Sequence, residues 1–409
     1  MVQAYGGSKR VRKVGVQPED QGGSALQSAA HGWQWQALDA AVCAVIAECT
    51  ECGLCAKRCA FLQRYGTPKA IAEQADPRHG KGLVSAYECS LCGLCHAVCP
   101  FGVNPAQLFL EQRREAVLRG LGPLPQHRRL LSYERKGTSR RYSLYALPDG
   151  CTTVFFPGCT FAGTRAEAVL AIYELFRLSL PDLGIVLDCC TKPSHDLGRQ
   201  AYFLSMFGEM RDFLVAQGVR TVFVACPNCY KVFQNYGSPL QVRTVYERLT
   251  EQALPRQDPL RGTVTLHDPC VLRHEPAVQD AVRSLVHHAG LQVLEMPDSR
   301  ERTLCCGEGG GVGVVDPGLA RQWSVTRARQ AEKRLVVTSC AGCAAQLRRF
   351  MPTVHVVDLV LNGKAALDGK ARLTRPPFTY WKRLRLKKAL KQRLRHARLR
   401  ERPLPPQAQ

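Results

Sequence analysis

One pattern constrains this chain more than any other. Cys49-Thr-Glu-Cys52-Gly-Leu-Cys55-Ala-Lys-Arg-Cys59 is followed, after 29 residues, by Cys89-Ser-Leu-Cys92-Gly-Leu-Cys95-His-Ala-Val-Cys99-Pro100. The spacing C-x2-C-x2-C-x3-C thus occurs twice. Three cysteines so spaced can wrap one corner of an iron–sulfur cube with their thiolates. The fourth is held off by one extra residue, points away and serves the other cluster. One 4Fe–4S cluster is therefore expected on Cys49, Cys52, Cys55 and Cys99, and a second on Cys89, Cys92, Cys95 and Cys59. Zinc is the competing occupant, but zinc sites pair two C-x2-C hooks and leave the third cysteine of each run without a role. Gly53 and Gly93 hold equivalent loop positions, where positive φ or close backbone approach to sulfide is expected.

At 409 residues the chain can hold two or three domains, each with its own core. Its twenty cysteines do not read as a secreted disulfide scaffold, because they fall at metal-ligand spacings and no signal peptide precedes them. Nothing reaches the eighteen or so consecutive apolar residues of a membrane span. A reducing, cytoplasmic setting is expected, with the inner face of the cytoplasmic membrane as a candidate peripheral site. Residues 1–32, rich in Gly, Ser and Gln with a small basic cluster, read as a disordered arm.

Residues 33–120 read as helical. Leu38, Val42, Val45 and Ile46 recur at helical spacing over 33–46. Pro68 opens a second helix through Ala75, and Asn104-Pro105 a third to about Arg119. Cys43, outside the ligand pattern, reads as a small buried side chain. No alternating strand pattern occurs here, so this part resembles an α-helical dicluster ferredoxin. Residues 121–150, with Pro123, Pro125 and Pro148 and the pairs Arg128/Arg129 and Arg140/Arg141, read as a basic linker.

From Cys151 short apolar runs alternate with helical stretches, and cysteine stands at the end of each run. Strands are expected over 152–156, 184–187 and 221–225, with helices over 164–178 and 196–217. A second set of strands is expected over 263–266, 303–304 and 335–338. Parallel α/β structure with functional groups at the carboxyl ends of the strands follows. Cys159 to Cys270 is an offset of 111, Cys189 to Cys305 of 116 and Cys226 to Cys340 of 114, which marks an internal duplication. Each copy, 151–250 and 262–362, carries Cys…Cys-Cys…Cys-x-x-Cys. The fold class expected is α+β multidomain: a helical dicluster ferredoxin, then two duplicated α/β cysteine-rich domains. Cys151 lies outside both sets and reads as structural.

The two copies resemble the CCG cysteine-rich domains of heterodisulfide reductase. With the ferredoxin module in front, residues 33–362 resemble the D-type subunit of heterodisulfide reductase. The iron–sulfur subunits of glycolate oxidase and anaerobic glycerol-3-phosphate dehydrogenase share this plan. The resemblance implies a non-cubane 4Fe–4S cluster on Cys270, Cys305, Cys306, Cys340 and Cys343, which would make these the catalytic redox set. For Cys159, Cys189, Cys190, Cys226 and Cys229 it implies a cluster or zinc. The second copy keeps the family spacing, Gly307 after the Cys-Cys pair and the run Gly309-Gly310-Gly311. The first has gaps of 29 and 35 residues, and Thr191 replaces the glycine. The glycines predict that a substrate sulfur reaches the second site more closely than the first. His267, Asp268 and Glu308 are candidates to hydrogen-bond cluster sulfur or relay a proton, as is His195 in the first copy.

The stretch 370–402 holds fourteen Lys and Arg against one acid, Glu401, and so supplies thirteen of the net charge of +22. Its apolar stripe, Leu386, Leu390, Leu394 and Ala397, is narrow. Anionic lipid, an acidic partner and nucleic acid compete with a solvated, partly disordered tail. Every proposed ligand precedes this tail, so its removal is expected to leave cluster content unchanged.

These readings converge on an iron–sulfur electron-transfer subunit of an oxidoreductase complex. No flavin motif is present, so a flavoprotein dehydrogenase partner is expected, with a membrane quinone-reactive or cytochrome subunit, or a thiol/disulfide, as acceptor. The alternatives are a disulfide reductase catalytic subunit and, last, a zinc-rich nucleic-acid-binding protein.

Overall fold

The computed structural model describes residues 24–74, 82–371 and 373–403. Most of the expected arm, 1–23, lies outside the described residues. Ser24–Glu48 form a single helix that starts before the anticipated position 33. Leu38 and Val45 are buried on it, and it packs along the helix Pro105–Leu118, which opens with proline at its first turn. Cys43 is exposed rather than buried, because it lies off the face that carries Leu38 and Val45. Short helices Ala60–Tyr65, Pro68–Gln74 and Leu94–Ala97 complete this part. Residue 75, the expected end of the second of these, lies outside the described residues. No strand occurs among the described residues of 33–120.

Ten strands follow: β1 (Leu144–Leu147), β2 (Thr153–Phe156), β3 (Gly184–Leu187), β4 (Thr221–Val224), β5 (Gln241–Thr244), β6 (Thr263–His267), β7 (Gln292–Val293), β8 (Leu335–Thr338), β9 (Thr353–His355) and β10 (Arg398–Arg400). They form a six-stranded sheet, β10-β1-β3-β2-β4-β5, and a four-stranded sheet, β7-β6-β8-β9. β3-β2-β4-β5 are parallel, as are all four strands of the second sheet. The order is the same in both, so the repeat of cysteines is a repeat of topology. Runs such as Val154-Phe155-Phe156 are wholly buried, as strands of a parallel sheet covered on both faces must be. The two copies share one continuous core, in which Val224, Tyr246, Leu266 and Val356 take part. The Tyr246 hydroxyl lies 2.6 Å from both the Ala225 and Ser339 carbonyls, each just before a Cys-x-x-Cys loop.

Three expectations are corrected. Thr303-Leu304 is not a strand; the matching strand is β7, and a 3-10 turn at Arg300–Arg302 separates it from Cys305. Thr303 is instead tied through its hydroxyl to the Asp268 carbonyl at 2.8 Å and through its own carbonyl to Arg273 at 2.8 Å. The linker contains a helix, Arg128–Gly137, and β1, which pairs antiparallel with β3. The basic tail is folded into the first cysteine-rich domain. Its helix Phe378–Arg393 packs on helices Cys159–Thr164 and Ala166–Arg177 and on β1, and β10 extends the sheet antiparallel to β1. The narrow stripe is its buried face, with Leu386, Leu390 and Leu394 inside. Part of its charge is paired within the protein. Arg402 meets Asp188 at 2.9 Å, Lys387 and Lys391 meet Glu401 at 2.8 and 2.5 Å, Arg400 meets Glu209 at 2.5 Å, and Lys382 pairs with Glu167.

Candidate iron–sulfur centres

Cys49, Cys52, Cys55 and Cys99 line one cavity together with Cys95, walled by Pro68, Phe101 and Val103. The crossed set anticipated from spacing therefore converges. Gly53 and Gly93 have φ of +72° and +69°, and no atom lies near where a Cβ would stand. Backbone conformation, rather than close approach, demands glycine there.

Cys59, Cys89, Cys92 and Cys95 face one another within the protein. Burial first, then the neighbouring thiolates, push Cys89 up to about 12 and Cys95 well above its usual value. Protons would stay on such sulfurs unless a cationic core sat among them, so the set suits a metal cluster and is ill suited to empty burial. One residue here escaped the sequence. Arg113 is fully buried and donates to the carbonyls of Ala86, Cys89, Asp196 (2.7 Å) and Gly310 (2.8 Å). It ties the second ferredoxin loop to both cysteine-rich domains and sets a positive charge beside Cys89. In sequence it is one arginine among many.

Each five-thiol set also converges. In the first, Cys159 and Cys189 sulfurs lie 3.9 Å apart, and Cys190 and Cys229 sulfurs 3.4 Å apart. A Cβ at Gly158 would fall 3.0 Å from the Cys229 sulfur, so glycine lets the chain pass. The Cys189 thiol, helped by Arg383 and Tyr133, draws Cys159 down to about 6. Arg383 comes from the tail helix. It is buried beside Gly137 and Cys189, and one of its guanidinium nitrogens has no hydrogen-bond partner. Its role was hidden in sequence because it sits within a run of exposed basic residues. Thr191 keeps the positive φ of its replaced glycine, at 54°. His195 is turned away from the thiols, toward Asp196 at 2.9 Å and the Tyr236 hydroxyl at 3.0 Å, so it has no cluster contact to offer. Cys151 is buried, donating to the Thr153 carbonyl at 3.3 Å, as a structural residue does.

In the second set Cys270, Cys305, Cys306, Cys343 and Cys340 follow one another as hydrogen-bonded neighbours. Hydrogen bonds from the Cys270 and Cys306 thiols and from the Gly307 and Gly309 N–H groups hold Cys305 well below the ordinary thiol value. Gly307 has φ of +98°, and a Cβ there would meet the Ala320 carbonyl at 2.3 Å. Cys340 caps the helix Ala341–Leu347 and accepts the Cys343 N–H at 3.4 Å. Asp268 is held in a bidentate pair with Arg283, 3.0 Å on each oxygen, and accepts the Arg300 N–H at 2.8 Å. Those bonds engage both of its carboxylate oxygens. His267, Cys306 and Cys343 place their ligand atoms within 4.8 Å of one another, all buried. Glu308, solvent-exposed, lines a groove of about 480 Å³ with Gly307 and Gly311.

The glycine run does something other than admit substrate. A Cβ at Gly309 would stand 2.7 Å from the Ser90 carbonyl, and at Gly310 2.6 Å from the Cys89 carbonyl. These glycines let the ferredoxin loop press backbone to backbone on the second cysteine-rich site. Cys305, Cys306, Cys340 and Cys343 are as buried as Cys189, Cys190 and Cys229, so the thiols themselves do not show the expected contrast in access. Beyond the loop, Cys59 and Cys92 pack with Cys270 and Cys305 around Leu304 and Trp323. Arg273 bridges the Cys92 and Thr303 carbonyls at 3.2 and 2.8 Å.

Two ferredoxin-type sets of four thiols, joined to two sets of five in a duplicated α/β unit, define a class of iron–sulfur protein. The family model of the 4Fe-4S dicluster domain matches residues 45–103, and that of the cysteine-rich domain matches 153–234 and 264–348. The chain belongs to the proteins that join a 4Fe-4S dicluster domain to a tandem pair of cysteine-rich domains. It is 27% identical over 360 residues to the B-type subunit of the fumarate reductase (CoM/CoB) of Methanothermobacter marburgensis, covering 78% of this chain and 71% of that one. It is 24% identical to the D-type subunit of the dihydromethanophenazine:CoB–CoM heterodisulfide reductase of Methanosarcina mazei, covering 79% of this chain and 93% of the other. The EtfAB:quinone oxidoreductase of Syntrophomonas wolfei is also 24% identical, over 69% of this chain and 46% of its own length. No helix among the described residues is long and apolar enough to cross a membrane.

Proposed function

We propose that this chain is an iron–sulfur electron-transfer subunit of an oxidoreductase complex. Cys49, Cys52, Cys55 and Cys99 would hold one cluster and Cys89, Cys92, Cys95 and Cys59 a second, and together with the second cysteine-rich set these would provide a chain of one-electron carriers. The packing of Cys59 and Cys92 against Cys270 and Cys305 carries this reading, because it brings the second cubane set against the five-thiol set with no intervening domain. The partner is a flavoprotein dehydrogenase, and the acceptor is a quinone or a thiol/disulfide; relatives named for heterodisulfide and for quinone reactions support the two acceptor types. The cofactors are two 4Fe–4S clusters and a non-cubane cluster on Cys270, Cys305, Cys306, Cys340 and Cys343, with a cluster or zinc on the first set. These groups supply one-electron carriage. The residues around them hold thiolates, exclude water and set local charge.

A second reading, in which the five-thiol site itself reduces a disulfide, is favoured by the groove along Gly307, Glu308 and Gly311. Nucleic acid binding ranks last, since the tail is folded into the first cysteine-rich domain and several of its charges are paired there. Peripheral membrane contact would use the exposed Phe378 and Trp381 of the tail helix.

The deciding experiment compares Cys306→Ser with the unaltered full chain under anaerobic conditions. Dithionite should reduce the ferredoxin clusters in both, while the variant loses turnover of reduced viologen with its acceptor. Full turnover in Cys306→Ser would overturn the reading. Turnover with disulfides but not with quinone analogues would select the reductase.

A further inference from the structure

The two cysteine-rich sites differ at one position that spacing alone does not reveal. β2 and β6 are the equivalent central strands, each running into the first cysteine of its set. Phe156 ends β2, opposite Val224 of β4; His267 ends β6, opposite Thr338 of β8. Phe156 is core hydrocarbon, with its ring edge-on to Phe233 at 5.3 Å. In the second copy the same place holds an imidazole, 1% exposed, with neither ring nitrogen hydrogen-bonded. The Thr338 hydroxyl beside it is likewise buried and without a partner. Leaving one polar group so buried costs about 1–3 kcal/mol, and a phenylalanine, as in the first copy, would avoid it. The imidazole's potential ligand atom lies within 4.8 Å of the Cys306 and Cys343 sulfurs.

We propose that His267 is a nitrogen ligand of the metal centre held by the second cysteine-rich set, so that this site is a mixed imidazole–thiolate centre while the first is thiolate only. The inference rests on the reading that the second set holds a metal centre. A neutral imidazole in place of an anionic thiolate on one metal ion lowers the negative charge donated to the centre. In iron–sulfur centres that exchange raises the reduction potential. The second site is thereby made the better electron acceptor, next to the second ferredoxin set. The first copy has Phe156 at the equivalent place and so has no imidazole there to offer. The difference between the copies is therefore electronic, and it arises from one strand-end residue.

The test uses the full chain, purified anaerobically from cells grown with 15N-histidine or with natural histidine, and pulsed electron paramagnetic resonance of the second-site signal. That signal is identified as the one lost in Cys343→Ser. A nitrogen coupling that changes with the isotope is expected, and it should vanish in His267→Phe. If the metal is zinc, metal-edge absorption should lose one nitrogen scatterer in the same variant. His267→Cys offers a replacement ligand, and should keep the metal while abolishing the nitrogen signature and lowering the potential. Unaltered cubane signals in the variants guard against misfolding. A second-site metal with no nitrogen coupling, or with a spectrum unchanged in His267→Phe, would overturn the ligand assignment alone. Metal content unaffected by Cys343→Ser would overturn the underlying reading as well.

Discussion

Arg402 tests whether the tail is part of the first cysteine-rich domain. Its side chain is 1% exposed and that of Asp188 is 0%, with Nε and Oδ2 2.9 Å apart. Asp188 also accepts the Cys189 N–H at 2.7 Å and the Tyr145 hydroxyl, so the pair sits directly beneath the Cys189–Cys190 thiols. Replacing Arg402 with Met leaves a buried carboxylate without its cation, a change of about 3–5 kcal/mol. At about 1.4 kcal/mol per tenfold, local opening should become two to three orders of magnitude more frequent. Hydrogen exchange on the intact chain would read this at the amides of β1, β3 and β10. The double variant Asp188→Asn/Arg402→Met removes the stranded charge, and should fall short of the summed single effects by about 1–3 kcal/mol. Unchanged exchange in β1 and β3, or strict additivity, would refute the reasoning. The expectation from sequence that the tail is dispensable for cluster content reverses with it. Removing residues 370–409 should strip metal from the first set, because Arg383 and the Asp188 pair go together.

Cys99→Ser should damage the cluster on Cys49, Cys52 and Cys55 and spare the other, counted by spectroscopy of reduced cubane clusters; loss of the Cys89 cluster instead would sink the crossed assignment. Gly310→Ala places a Cβ 2.6 Å from the Cys89 carbonyl at φ of +62°, where the conformation alone costs about 1–2 kcal/mol. It should slow reduction of the second cysteine-rich site in rapid-mixing experiments while cubane content stays whole, and an unchanged rate would show that the loop contact is idle. Burial raises the Glu134 carboxyl from 4.5 to about 7, against hydrogen bonds from the Ser194 N–H and hydroxyl. The folded state therefore holds a proton that the unfolded state releases. This contribution is complete below pH 4.5 and is lost as pH rises through 7, about 3 kcal/mol in all. Unfolding midpoints between pH 5 and 8 should fall less steeply in Glu134→Gln.

The eight cysteines of the ferredoxin pattern and the two sets of five were legible because metal ligation constrains spacing along the chain, and the duplication was legible because it repeats that spacing. What stayed hidden is what acts across the chain. Arg113 gains its meaning only when Gly310, distant in sequence, lies 2.8 Å away. Arg383 and Arg402 read as tail charge because nothing local marks which of many basic residues will be buried. Gly309 and Gly310 looked like an opening for substrate; the partner they make room for is the chain's own Cys89–Ser90 backbone. The Thr303 segment failed as a strand because two apolar residues cannot distinguish a ladder from an extended run tied down by Asp268 and Arg273.

The pairing of β10 with β1 has a consequence for how the molecule matures. Tyr145 waits for Arg400, its partner across the sheet edge, while a ribosome makes everything between them. The second sheet needs nothing beyond His355 and can close earlier. The first cysteine-rich domain, although earlier in the chain, is thus the last to be sealed. Cys159 and Cys189 lack the Arg383 guanidinium beside them until the tail helix has been made and docks.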